Sequence, residues 1–205
     1  MNIKIQGSVI NGEINAIPSK SYAHRILICD FLSGKEIRDE FNGFSSKDIL
    51  ATANCLKALK NGEKELNCFE SGSTLRFLLP LSASIGGEFK FVGQGKLMKR
   101  PNDELFLVLR EQGIEVQKLD NSIILKGKLK EGEYKIRGDI SSQYITGLMF
   151  ALTNLSGDSK IILTTDLSSK PYVDITMQVL SKYGVNIEKT DYGFFVKGGQ
   201  KFKGN

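Results

Sequence analysis

Arg100-Pro101-Asn102-Asp103-Glu104-Leu105-Phe106-Leu107-Val108-Leu109-Arg110 and Lys170-Pro171-Tyr172-Val173-Asp174-Ile175-Thr176-Met177-Gln178-Val179-Leu180 follow one pattern. Each has a basic residue, a proline and an acidic residue, then apolar residues at helical spacing. Proline near a first helical turn gives up an N–H that has no partner there anyway. Gly113 and Gly184 stop the two helices. Two short strands follow each stop, at 114–119 and 122–126 in one case and at 185–189 and 194–197 in the other. The prolines are 70 residues apart and the glycines 71, which reads as duplication.

The flanking sequence repeats as well. Ser71-Gly72-Ser73-Thr74-Leu75-Arg76 opens an apolar helix that reaches Gly86-Gly87 and a strand at 88–92. Ser141-Ser142-Gln143-Tyr144 opens another that reaches Gly157 and a strand at 160–164. An earlier copy, Ser19-Lys20-Ser21-Tyr22-Ala23-His24-Arg25, reaches Gly34, a strand at 36–41 and a second helix at 46–59, where Asp48 stands in the place of Asp103 and Asp174. The reading is three strand–helix–strand–helix–strand–strand units, an α/β or α+β class with mixed sheets and pseudo-threefold packing. The apolar helices are expected inside, with sheets and amphipathic helices outside.

Composition bounds the chemistry. A chain of 205 residues with 40% hydrophobic and 25% charged content can bury a core unaided. Its apolar runs are far short of the ~20 residues of a membrane span, and residues 1–6 lack the apolar stretch of a signal peptide; a cytoplasmic location is expected. Cys29, Cys55 and Cys68 have no zinc or redox spacing and read as buried filler. His24 is the only histidine, which argues against histidine metal sites. The net charge of +5 is spread out, with Lys57, Lys60 and Lys64 on one helix and Lys126, Lys128 and Lys130 at a strand edge. That scatter fits a small anion better than a nucleic acid.

Each serine-rich start is by itself a helix cap. Three buried helices related by threefold symmetry, however, point their N-termini at one place, and helix N-termini bind anions. Lys20, Arg25 and Arg76 accompany those starts, and Arg100 and Lys170 precede the second helices. Arginine suits bidentate carboxylate and phosphate contacts. The residues therefore point to a ligand with more than one phosphate or carboxylate group.

Pro18-Ser19-Lys20-Ser21 with Arg25, Ser71-Gly72-Ser73-Thr74-Leu75-Arg76, Lys99-Arg100-Pro101, Ser141-Ser142-Gln143 and Ser169-Lys170-Pro171-Tyr172 occur in this order. Together they resemble the 5-enolpyruvylshikimate-3-phosphate synthase family. The resemblance implies an inside-out α/β barrel of two globular domains, each of three units. It implies transfer of the enolpyruvyl group of phosphoenolpyruvate to the 5-hydroxyl of shikimate-3-phosphate, with neither metal nor cofactor. Lys20 would be catalytic and touch both substrates. Ser21, Arg25, Ser141, Ser142, Gln143, Ser169 and Tyr172 would bind shikimate-3-phosphate, and Gly72, Arg100 and Gln143 phosphoenolpyruvate. Arg76 would be structural. The expected division is 1–16 as a strand of the second domain, 17–199 as the N-terminal domain with units at about 17–70, 71–140 and 141–199, and 200–205 as a crossover. The main acid and base carboxylates would lie in the C-terminal domain, the partner of this half. The chain alone would be inactive, bind shikimate-3-phosphate weakly and be a monomer, with no nucleic-acid or membrane partner.

Departures within the motifs are mild: Glu70, Ser71 and Ser73 stand where Asn, Ala and Thr are frequent, and Phe77 where Pro often follows the Arg. The larger departure is length, since the family has a second globular domain beyond a stretch of this size. The related transferase acting on UDP-N-acetylglucosamine is disfavoured, since residues 92–99 contain no cysteine. A non-catalytic anion-binding or RNA-end-processing module of similar repeats would be favoured by a basic groove with aromatics, which the scattered charge does not offer. A purely structural fragment would use its Ser-Lys turns as caps only.

Overall fold

The structure, a computed structural model, describes Lys4, Gly7 and residues 11–13, 16–39, 41 and 45–204. The strand expected over 1–16 falls largely outside these residues. Two helices come first, α1 (Lys20–Leu32) and α2 (Lys47–Lys60). Then follow β1 (Glu65–Asn67), α3 (Gly72–Ile85), β2 (Gly87–Val92), a 3-10 turn at Leu97–Lys99, α4 (Asp103–Glu111), β3 (Glu115–Lys118) and β4 (Ser122–Gly127). The same order returns as β5 (Glu133–Ile136), α5 (Ser142–Thr153), β6 (Ser159–Leu163), α6 (Lys170–Lys182), β7 (Ile187–Thr190) and β8 (Gly193–Val196). Among the described residues, no helix is long and apolar enough to cross a membrane.

The duplication is visible in the hydrogen bonding. One sheet has the order β1-β2-β4-β3 and the other β5-β6-β8-β7, each with one parallel and two antiparallel pairs. Glu65 pairs in register with Lys90, and Glu133 with Lys160. Both cross-strand pairs close ion pairs of 2.9 Å. Since β1 and β5 bond to the strands that follow them, the sheets group residues 65–127 and 133–196.

The earliest copy departs from expectation. Residues 36–39 are irregular, Phe41 is a lone bridge residue, and α2 leads directly to β1 with no hairpin between them. A strand exists only where a neighbour satisfies its backbone, and among the described residues nothing pairs along 36–39. Two complete units and the two helices of another are therefore described.

The helices α1, α3 and α5 meet at Phe77. Its ring packs edge-on against Phe150 of α5 at 6.1 Å and His24 of α1 at 6.2 Å. Pro80 lies inside α3 and cannot donate to Arg76 O. Gly147 of α5 sits over that oxygen, where an added Cβ would lie 2.4 Å away. Glycine there lets the two apolar helices approach closely.

Candidate functional site

The starts of α1, α3, α5 and α6 face a cleft of about 410 Å³. Lys20, Ser21, Arg25, Ser141, Ser142, Gln143, Ser169 and Tyr172 line it, all expected from the sequence. Gly72 and Arg100 do not line it but lie beside each other. A Cβ on Gly72 would come within 2.9 Å of Arg100 Nη1 and 4.0 Å of Arg76 Nη1. The missing side chain thus lets Arg100 reach the backbone at the start of α3. Lys170, by contrast, faces a different depression and pairs there with Asp174 at 2.9 Å.

Each start is set by local chemistry. Ser71 Oγ accepts from Thr74 N at 3.2 Å, and Ser141 Oγ from Gln143 N at 3.2 Å, as cap residues do. Ser19 and Ser169 make no side-chain cap bond. Ser169 holds a left-handed backbone, φ 54° and ψ 35°, which costs a non-glycine residue about 1–2 kcal/mol. Such strain concentrates at functional positions. The loop before Ser141 is pinned by Asp139, which accepts from Arg137 Nε and Nη2 at 3.0 and 2.8 Å and from Thr165 Oγ1 at 2.8 Å. The Arg137 and Thr165 hydrogen bonds hold the Asp139 carboxyl down at about 2.

Arg25 is only 2% exposed. Its Nε donates to Thr176 Oγ1 at 2.7 Å, Nη1 to Ser21 O at 2.7 Å, and Nη2 to Tyr172 O at 2.9 Å and Thr146 Oγ1 at 3.3 Å. It also lies over the Phe77 ring at 5.2 Å. Four of its five N–H groups are thus spent within the protein, and among the described residues no carboxylate pairs with it. Burial lowers its pKa to about 10. Lys20 is more open and forms a 2.8 Å ion pair with Asp48.

Gln143 bridges the cleft. Its Oε1 accepts from Arg76 Nη1 at 2.7 Å, and its Nε2 donates to Ser73 Oγ at 2.9 Å. One amide N–H remains for a ligand. Arg76 also donates from Nε to Asn102 Oδ1 at 2.9 Å and from Nη2 to Pro101 O at 3.2 Å. It braces α3 against α4 while lining the cleft. Helix termini, cations and a spare amide proton together favour an anion.

Sequence reasoning did not select His24, Asp48, Ser73, Phe77 or Ile140 as cleft residues, and it held Arg76 to be structural, whereas Arg76 also lines the cleft. His24 was within reach: Lys20 and His24 are i and i+4, as are Ser21 and Arg25. Asp48 comes from a separate helix, and nothing local to it carries a signal. Cys29, Cys55 and Cys68 are buried free thiols away from the cleft.

The family model described as EPSP synthase (3-phosphoshikimate 1-carboxyvinyltransferase) matches residues 60–205. Among curated relatives, the 3-phosphoshikimate 1-carboxyvinyltransferase of Clostridium kluyveri is 42% identical over 98% of this chain and 52% of its own length. That of Clostridioides difficile is 39% identical over 98% of this chain and 53% of its own length. The chain spans about half the length of the curated relatives it matches. A solved EPSP synthase from Acinetobacter baumannii superposes with a TM-score of 0.71 at 20% identity, covering 94% of this chain and 48% of that one. At that identity the likeness shows the fold.

Proposed function

The chain belongs to the EPSP synthase family, and on that premise we propose that its cleft is the shikimate-3-phosphate face of a 3-phosphoshikimate 1-carboxyvinyltransferase. The observation that carries the reading is the convergence of four helix starts, with Lys20, Ser21, Arg25, Ser141, Ser142, Gln143, Ser169 and Tyr172, on one cavity. Ser141, Ser142 and Ser169 take the phosphate, and the half-exposed Tyr172 lies beside the ring. Arg25 acts mainly through its charge and its remaining Nη1 proton. Phosphoenolpyruvate binds toward Gly72 and Arg100, with Lys20 and Gln143 between the two ligands. Lys20 must leave Asp48 or share it.

The reaction is addition followed by elimination. The 5-hydroxyl of shikimate-3-phosphate gives its proton to a base as its oxygen bonds to C2 of phosphoenolpyruvate, while an acid protonates C3. The tetrahedral adduct then expels phosphate, and C3 gives up a proton to restore the double bond. Lys20 and Arg100 stabilise the charge that develops. The acid and base carboxylates come from a second globular domain, whose closure excludes water. Residues 1–16 and 200–205 connect to that domain, and 17–199 form this one, an inside-out barrel unit of pseudo-threefold build. The same reading makes the protein a cytoplasmic monomer without cofactor, metal, nucleic-acid or membrane partners. This half alone binds shikimate-3-phosphate weakly and does not turn over.

Calorimetric titration of the chain with shikimate-3-phosphate tests the reading, with the Ser142→Ala variant as control. Saturable heat that Ser142→Ala diminishes supports it. No heat at millimolar ligand from folded protein overturns it.

A further inference from the structure

Behind the cleft, four buried side chains on α1, α2 and the start of α3 form a hydrogen-bonded chain. His24 Nδ1 is 2.7 Å from Thr52 Oγ1, Thr52 Oγ1 is 2.7 Å from Thr74 Oγ1, and Thr74 Oγ1 is 2.7 Å from Ser71 Oγ. None of the four residues is more than 3% exposed. Each contact this short needs one proton between its atoms. Thr74 donates to Ser71, whose oxygen also accepts the Thr74 backbone N–H. A hydroxyl carries one proton, so Thr52 must supply the one shared with Thr74. The proton between His24 and Thr52 then has a single remaining source, His24 Nδ1. Asp48 O, at 3.5 Å from Thr52 Oγ1 and 3.4 Å from Thr74 Oγ1, is too distant to compete.

We infer that the relay locks His24 as the Nδ1–H tautomer, so that Nε2 offers a lone pair on the wall of a cleft otherwise rich in donors, where it accepts a hydroxyl of the anionic ligand. His24 lines the cleft. The sealed side-chain polar atoms without a hydrogen bond among the described residues are Asp30 Oδ2, Ser82 Oγ and Thr190 Oγ1, and His24 Nε2 is not one of them. Burial lowers the His24 pKa to about 4, with Asp48 opposing and Arg25 and Lys20 reinforcing, so the ring is neutral at neutral pH. An acceptor among donors selects a hydroxylated anion over one without hydroxyls. The ligand part rests on the shikimate-3-phosphate reading above; the tautomer does not.

Because His24 is the only histidine, nitrogen-15 labelling of histidine reports a single ring. At neutral pH the spectrum is expected to show a protonated Nδ1 and an unprotonated Nε2. Shikimate-3-phosphate should shift the Nε2 resonance in the sense of an accepted hydrogen bond, and phosphoenolpyruvate, which has no hydroxyl, should not. Thr52→Val, which cuts the relay at similar volume, should release the single tautomer. His24→Asn keeps a donor toward Thr52 but lacks Nε2, and should weaken shikimate-3-phosphate binding about 3- to 10-fold. An Nε2–H tautomer in the free protein overturns the inference. So does a bound ligand, seen by calorimetry, that leaves Nε2 unmoved. Absence of heat contradicts the shikimate-3-phosphate reading and the ligand half with it, while the free-protein spectrum alone decides the tautomer.

Discussion

Arg25 and Ser142 both line the cleft and are expected to answer differently to truncation. Arg25 ties α1 to Thr146 of α5 and to Thr176 and Tyr172 O of α6. Arg25→Ala strips those partners in a buried place and is expected to cost about 3 kcal/mol or more in denaturant unfolding, whatever it does to ligand binding. Ser142 is the first residue of α5, and the cap bond is made by Ser141. Ser142→Ala removes no cap bond, so it should cost less than the ~1 kcal/mol of a lost cap and still weaken ligand binding. His24 sets a pH window. Its folded-state pKa, about 4, lies below its ordinary 6.5, so between these values the unfolded chain binds the proton better. The His24 contribution to stability is full above pH 6.5 and is lost as pH drops toward 4, by roughly 3 kcal/mol at most. Thermal melts at several pH values should show this slope in the native protein and a shallower one in His24→Asn.

At the scale of elements, the helices were legible, but the strand expected at 36–41 does not form along 36–39. Helix starts carry their own signals, such as serine caps, Pro101 and Pro171, and helix ends carry Gly113 and Gly184. A strand depends on a distant partner, and 36–39 have none among the described residues. Most of the cleft residues at helix starts were legible, although Ser73 of α3 and His24 of α1 were passed over. The cleft was not legible where a side chain arrives from another element, as Asp48 does to reach Lys20. The contact of α3 with α5 at Gly147 gives a direct test. Gly147→Ala places a methyl 2.4 Å from Arg76 O and should destabilise by about 1–3 kcal/mol, read from the denaturant midpoint. Ser71→Ala removes the α3 cap and should cost about 1 kcal/mol.

Across the whole molecule, two sheets share one topology, and the starts of α1, α3, α5 and α6 frame the cleft proposed to take an anion. The +5 charge gains a local meaning there, since Lys20, Arg25 and Arg76 line the cleft against a single carboxylate, Asp48. Binding of a phosphorylated ligand should therefore weaken as salt screens those charges, though less for the buried Arg25 than for the open Lys20. Calorimetric titration of the folded chain with shikimate-3-phosphate is the most direct test of the central claim. The cleft reading predicts saturable binding at one site that Ser142→Ala weakens without unfolding the protein; a folded chain that gives no heat at millimolar ligand would contradict it.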